Sequence, residues 1–210
     1  MTRMSQTERL ALCDTALQVG EDQPTLCGEW DVKDLVVHLL VREGSPAAAG
    51  IVVKPLGRLT DLEHRRFGRR DFTVLVERLR GGPPLWSPYA VPRLDAMLNT
   101  LEYFVHHEDI RRAQPSWTAR ALTDGQQKLL WKQVGVAAKG LTRNAAVGVT
   151  LENSVTGSRS VVHAGDPMVT VRGLPSEVTL FAYGRKAVAD VELLGDPDAV
   201  AALRGTDLGV

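Results

Sequence analysis

The spacing of apolar residues changes character once along this chain, near Ala145, and that change points to a mixed fold. Up to Ala145 the apolar residues recur every three or four positions, the period of a helix with one buried face. Over residues 5–19, Leu10, Leu12, Cys13, Ala16 and Leu17 fall at helical spacing, and Gly20 with the polar run behind it ends that helix. Asp31 is a good N-cap for a second helix, with Asp34 as the acidic partner of a capping box. That helix reads VKDLVVHLLVRE and stops near Gly44-Ser45-Pro46. A small-residue connection over 46–57 leads to a third helical region over 59–80. A break is expected near Gly68, Asp71 can cap the second part, and Gly81-Gly82-Pro83-Pro84 ends it. The Pro- and aromatic-rich PPLWSPYAVP reads as an ordered loop. A fourth helix is expected over 93–113 and a fifth from Thr123-Asp124 to about Asn144.

Beyond Ala145, VGVTLENS, SRSVVHAG and MVTVRG alternate and are rich in valine, the mark of short strands, here read as a three-stranded meander. Pro175-Ser176-Glu177 opens a helix to about Tyr183, DVELLG reads as a strand, and Asp196-Pro197 starts a last helix, DAVAALR. The expected fold class is therefore α+β. A helical bundle covers 1–145 and a small α+β domain covers 146–210, whose sheet needs helices to bury its apolar face.

Charge excludes some partners. Lys plus Arg number 25 and Asp plus Glu number 25, so the chain as a whole has no pull toward nucleic acid or an anionic membrane. No apolar run reaches the ~20 residues of a membrane helix. The opening MTRMSQTERLALCD is charged and lacks the apolar stretch of an export signal, so a cytoplasmic location is expected, with Cys13 and Cys27 reduced.

The segment that can carry chemistry is LEYFVHHEDIRRA, 101–113. Glu102 and His106 are four residues apart and share a helix face, with Asp109 close to the same stripe. His107 is turned by about 100° from His106, so only one of the two can face an ion together with Glu102. His38 lies inside the apolar run VVHLL, where an unpaired ring is costly to bury. His38, Glu102 and His106 form a two-histidine, one-carboxylate set that leaves a coordination position open, the pattern of catalytic rather than structural sites. Zinc, nickel and iron all accept these donors and affinity alone does not choose among them; zinc is the expected ion, with nickel or iron as alternatives. His64 and His163 sit in charged or strand contexts and read as surface residues. Arg65, Arg66, Arg69 and Arg70 are flanked by Glu63 and Asp71 and read as a solvated face.

Two segments, TLCGEWDVKDLVVHL (25–39) and LEYFVHHEDIRRA (101–113), carry a resemblance to the DinB-like metal-binding four-helix-bundle superfamily. Within it, the chain resembles the mycothiol-dependent maleylpyruvate isomerase branch. The first segment is similar to a Cys-x-x-Trp run leading into the helix of the metal histidine. The second is similar to a Glu-x-x-x-His-x-x-Asp helix. VTVRGLPSEVTLFAYGR and VELLGDPDAVAAL extend the likeness into the C-terminal part. The resemblance implies His38, Glu102 and His106 as metal ligands and Asp109 as the catalytic-site group that orients a histidine or a water. Asp109 paired to Arg112 or Arg42 is the alternative. His107-Glu108 departs from the aromatic residue that relatives often carry before the aspartate. The chain closely resembles an actinobacterial subgroup of the family rather than the isomerase itself, so the isomerase's own substrate is not implied.

In the mechanism that the resemblance implies, the open metal position takes a low-molecular-weight thiol, mycothiol, as thiolate, and the thiolate attacks an electrophilic small molecule. Two other readings remain. One is metal-assisted hydrolysis with Asp109 or Glu108 as base. The other is a non-enzymatic metal- or lipid-binding module, since the C-terminal part is similar to sterol-carrier domains. Cys27 precedes the helix cap and reads as a packing residue, and Trp30 as the anchor of that helix.

Overall fold

The computed structural model describes residues 3–44 and 66–209. Glu63, His64, Arg65 and the connection expected over 46–57 lie outside the described residues. The fold is mixed α+β, helical in its N-terminal part and carrying a small sheet near its C-terminus. Two compact units divide the chain, Met1–Ala119 and Arg120–Val210.

The first unit contains helices α1 (Met4–Val19), α2 (Val32–Gly44), α3 (Phe72–Arg80), α4 (Pro92–Leu98) and α5 (Thr100–Arg112). The caps follow the chemistry of the sequence. The Asp34 backbone N–H donates to Asp31 Oδ1 at 2.8 Å, and that of Val74 to Asp71 Oδ1 at 3.1 Å. Gly20, at φ 102, ends α1 in a conformation that a side chain would strain. Leu12, Cys13 and Ala16 of α1 join Leu35, Leu39, Leu75 and Leu79 in the core. Leu10 and Leu17 point outward, while Ser5, Glu8 and Arg9 are buried. The buried stripe of α1 is thus half polar, which apolar spacing alone does not reveal.

The expected helix over 93–113 is two helices broken at Asn99. The Thr100 hydroxyl donates to the Ala96 carbonyl at 2.7 Å, a local bond that competes with helix continuity. Asn99 itself is fully buried and uses its amide elsewhere, as described below.

The second unit comprises α6 (Asp124–Leu141), β1 (Gly148–Asn153), β2 (Arg159–His163), β3 (Met168–Gly173), α7 (Pro175–Ala182), β4 (Val191–Leu194) and α8 (Pro197–Gly205). Thr123 and Gln126 form a capping box at the start of α6. The composition change near residue 146 marks the first strand, but the chain divides after Ala119, because α6 packs on α7 and β2. Val134, Ala138 and Leu141 of α6 enter the same core as Val149, Leu151, Val169 and Val171.

The strand order is β2-β1-β3-β4, not the meander that the spacing suggests. β3 passes the end of β1 and pairs with it in parallel, while β1–β2 and β3–β4 are antiparallel. The passage is made at two glycines. A side chain on Gly148 would collide with the Gly165 carbonyl and the Met168 sulfur. On the outward face Arg159 pairs with Glu152 at 2.6 Å, Arg172 with Glu152 at 3.3 Å, and Arg172 with Glu192 at 3.5 Å. His163 lies half-buried on the edge strand β2.

Cys13 and Cys27 carry thiols rather than a disulfide. Burial pushes the Cys13 thiol up to about 12, against the lowering pull of Arg80 and Arg9. A thiol raised on folding contributes stability below its unfolded value near 9.0 and loses it as pH rises toward 12. Two outcomes are expected. A disulfide reagent at neutral pH modifies no more than one thiol of the native chain, Cys27. The fall of the urea midpoint above pH 9.0 is shallower in Cys13→Ala.

Candidate metal centre

The first unit brings His38 of α2 together with Glu102 and His106 of α5. Their ligand atoms all lie within 4.8 Å of one another. Helix geometry accounts for half of this, since residues four apart on α5 stack on one face. The rest comes from side chains reaching across the bundle, with α2 packed on α3 and α5 packed on α1. His106 Nε2 lies 3.3 Å and His38 Nε2 3.7 Å from the same oxygen, Glu102 Oε1. Donors bound to one ion at about 2.0–2.2 Å in tetrahedral directions are separated by about 3.3–3.6 Å, so the spacing fits one divalent ion. The imidazole rings of His38 and His106 meet edge to face, with centroids 5.5 Å apart. Trp30 covers the other side of His38 at 5.0 Å.

His106 is held from behind. Its Nδ1 lies 2.9 Å from Asp109 Oδ2, leaving Nε2 toward Glu102. Asp109 is fully buried, and its Oδ2 also accepts from the Cys27 thiol at 3.0 Å. A carboxylate on the far nitrogen fixes the tautomer and the ring direction of a ligating histidine. The loop before α2 is itself pinned to α5, since the Leu26 backbone N–H donates to the Asp109 carbonyl at 3.1 Å. Within the loop, Thr25 Oγ1 accepts from the Cys27 N–H and donates to the Trp30 carbonyl, and Gly28 turns the chain at φ 67. Cys27, His106 and Asp109 also lie close enough for an ion. However, 2.9 and 3.0 Å are hydrogen-bond lengths, and this set serves as the backing of His106.

Charge is concentrated on Glu102. Burial works to raise its carboxyl, but hydrogen bonds from His106 and His38, with the charges of His106 and Arg42, hold it well below the usual carboxylate range. Burial likewise works to lower His106, and is outweighed by Asp109, Cys27 and Glu102, which hold it well above the ordinary imidazole value. Burial dominates for His38 and lowers it.

Other expected neighbours sit elsewhere. His107 does not face a groove beside the site. It is buried against α1, with Nδ1 3.0 Å from Glu8 Oε2 and Nε2 2.9 Å from Thr15 Oγ1. Glu108 pairs with Arg111 at 2.9 Å and Arg112 at 2.5 Å, so the departure at His107-Glu108 alters the bundle interior rather than the metal face. Asp109 faces His106 and Cys27, and Arg42 faces Glu102 at 3.2 Å. Arg66, Arg69 and Arg70 are exposed. Cys27 packs against the core as expected and in addition bonds Asp109, while Arg42, an expected alternative partner of Asp109, is paired with Glu102 instead. For Arg42 the signal was present, because it lies one turn beyond His38 on α2.

These placements separate the two adjacent histidines by experiment. His107→Ala removes one partner of the buried Glu8 carboxylate and is expected to cost about 1–3 kcal/mol of stability while leaving metal content intact. His106→Ala also takes an imidazole from a buried carboxylate, Asp109, so it is expected to cost stability as well, and loss of tight metal binding is what sets it apart. Metal analysis of the two purified variants decides it, with denaturant melts confirming that each is folded, and loss of metal from His107→Ala alone would place His107 at the ion.

No protein-family model and no curated protein sequence matches this chain. Among solved structures, it is similar to the crystal structure of the mycothiol-dependent maleylpyruvate isomerase. The TM-score is 0.55, over 90% of this chain and 88% of that one, at 12% sequence identity. At that identity the likeness is one of fold, and the chain shares the overall fold of that isomerase across both its helical and its sheet-bearing parts.

Proposed function

We propose that this chain is a divalent-metal protein of the DinB-like superfamily, in the branch of the mycothiol-dependent maleylpyruvate isomerase. In this reading it acts as a metal-dependent thiol S-transferase or isomerase on an electrophilic small molecule. The observation that carries the reading is the convergence of His38, Glu102 and His106 on one point. The shared fold of a mycothiol-dependent enzyme supports mycothiol as the thiol.

His38, Glu102 and His106 would hold the ion, most suitably zinc, with nickel or iron accepted by the same donors. When bound, such an ion supplies positive charge that lowers the pKa of a thiol or water at the open position. The chain's own groups do the rest. Asp109 holds the Nδ1 side of His106 and so directs Nε2 to the ligand face. It acts as a positioning residue, not as the base of a hydrolase, because it is fully buried and bonded to His106 and Cys27. Glu108 is committed to two arginines, which removes the other base that hydrolysis would need. Trp30 lays an apolar wall beside His38 and limits the access of water to it.

Untagged full chain should carry about one divalent ion, and His38→Ala or Glu102→Ala should lower its affinity by about 100-fold or more while the helical signal persists. The loaded protein should accelerate addition of mycothiol to at least one member of a panel of small electrophiles, and chelation should remove that rate. Full metal retention in a His38→Ala/His106→Ala double variant would overturn the ligand set. A metal-loaded chain that accelerates ester hydrolysis but no thiol addition would overturn the transferase reading.

A further inference from the structure

The guanidinium of Arg42 is built into the metal face. Its Nε lies 3.2 Å from Glu102 Oε1, the oxygen that both histidines address. Each of its terminal nitrogens is also bonded. Nη1 donates to Asn99 Oδ1 at 2.5 Å and Nη2 to the Leu98 carbonyl at 3.2 Å, while the plane lies over the Tyr89 ring at 4.8 Å. Asn99 is fixed in its turn, because its Nδ2 donates to Glu43 Oε1 at 2.6 Å and to Asp95 Oδ1 at 3.0 Å. Glu43 and Asp95 have their own cation in Arg9, at 2.6 and 3.5 Å. The positive charge of Arg42 is therefore set against Glu102 and held in place from α2, from the turn at Pro88–Ala90, and from the break between α4 and α5.

That arrangement has a consequence for the open coordination position. Two neutral imidazoles and one carboxylate leave a divalent ion with one net positive charge. The buried Asp109 carboxylate behind His106 would cancel that charge, and Arg42, against the same Glu102 oxygen, restores the local total to one. Few-ångström charge in a half-buried site is screened far less than in water. We infer that Arg42 makes this site select an anionic fourth ligand, such as a thiolate or carboxylate, over a neutral one, while orienting Glu102. This inference rests on the metal reading above, and it adds the class of ligand that the site prefers.

The test uses the full chain loaded with Co²⁺, whose visible bands report changes at the ion. Azide serves as the anionic probe, imidazole as the neutral probe and mercaptoacetate as the thiol probe. Arg42→Gln keeps hydrogen-bonding capacity without charge, and Arg42→Lys keeps charge without the fork. Azide and mercaptoacetate should bind about tenfold or more weakly to Arg42→Gln, imidazole affinity should change less than about twofold, and Arg42→Lys should recover most of the azide affinity. Equal azide affinity in Arg42→Gln and the parent would overturn the inference. So would an equal loss of azide and imidazole, which would mark a purely steric role. If Arg42→Gln loses its cooperative melt, Arg42→Lys decides alone. Azide affinity within about threefold of the parent supports the charge, and a loss of about tenfold with Co²⁺ retained overturns it. Failure of the parent chain to take up Co²⁺ would overturn the metal reading itself, an outcome distinct from all of these.

Discussion

A carboxylate drawn largely out of water must be compensated, and Glu102 is compensated from three sides at once. Two imidazoles and a guanidinium address the same oxygen atom. Such a cluster is costly to assemble, since each group gives up water before it gains a partner. It persists because each partner is itself fixed: His106 by Asp109, Arg42 by Asn99, His38 by its place between Trp30 and His106. The convergence is thus a product of packing rather than of side chains drifting together. A preformed donor set of this kind suits metal binding, because little entropy remains to be lost when an ion arrives.

The polar interior extends beyond the site and binds the first unit together. Along α1, Ser5 reaches Asp95, Arg9 reaches Glu43, and Glu8 with Thr15 brackets His107 of α5. These contacts set the register of α1 against α5, because a shift of either helix by one residue would leave charges buried without partners. An apolar seam would tolerate such a slip more easily. The same logic explains the break at Asn99. A continuous helix would carry its amide away from Glu43 and Asp95, and the anchor of Arg42 would go with it.

The second unit is stabilised differently. Its inner face is almost wholly valine, leucine and alanine, covered by α6, α7 and α8, while its outer face carries an ion-paired row across all four strands. The long helix α6 completes this core, so the unit begins well before its first strand. Among the described residues, no helix is long and apolar enough to cross a membrane.

Local chemistry was legible from the sequence. Asp31, Asp71, Thr123 and Asp196 start helices because each side chain satisfies N–H groups left open by the helix end, an interaction confined to a few residues. The pairing of Glu102 with His106 and the exclusion of His107 follow from helical rotation alone. Only the tertiary structure decided which of the remaining polar residues meet. Cys27 lies 82 positions from Asp109 and Arg42 57 positions from Asn99, and no periodicity links them. The order of the sheet was likewise hidden, because alternation records which face a strand buries but not its neighbour. Glycines at 148 and 165, which let β3 pass to the far side of β1, made that choice through space rather than along the chain.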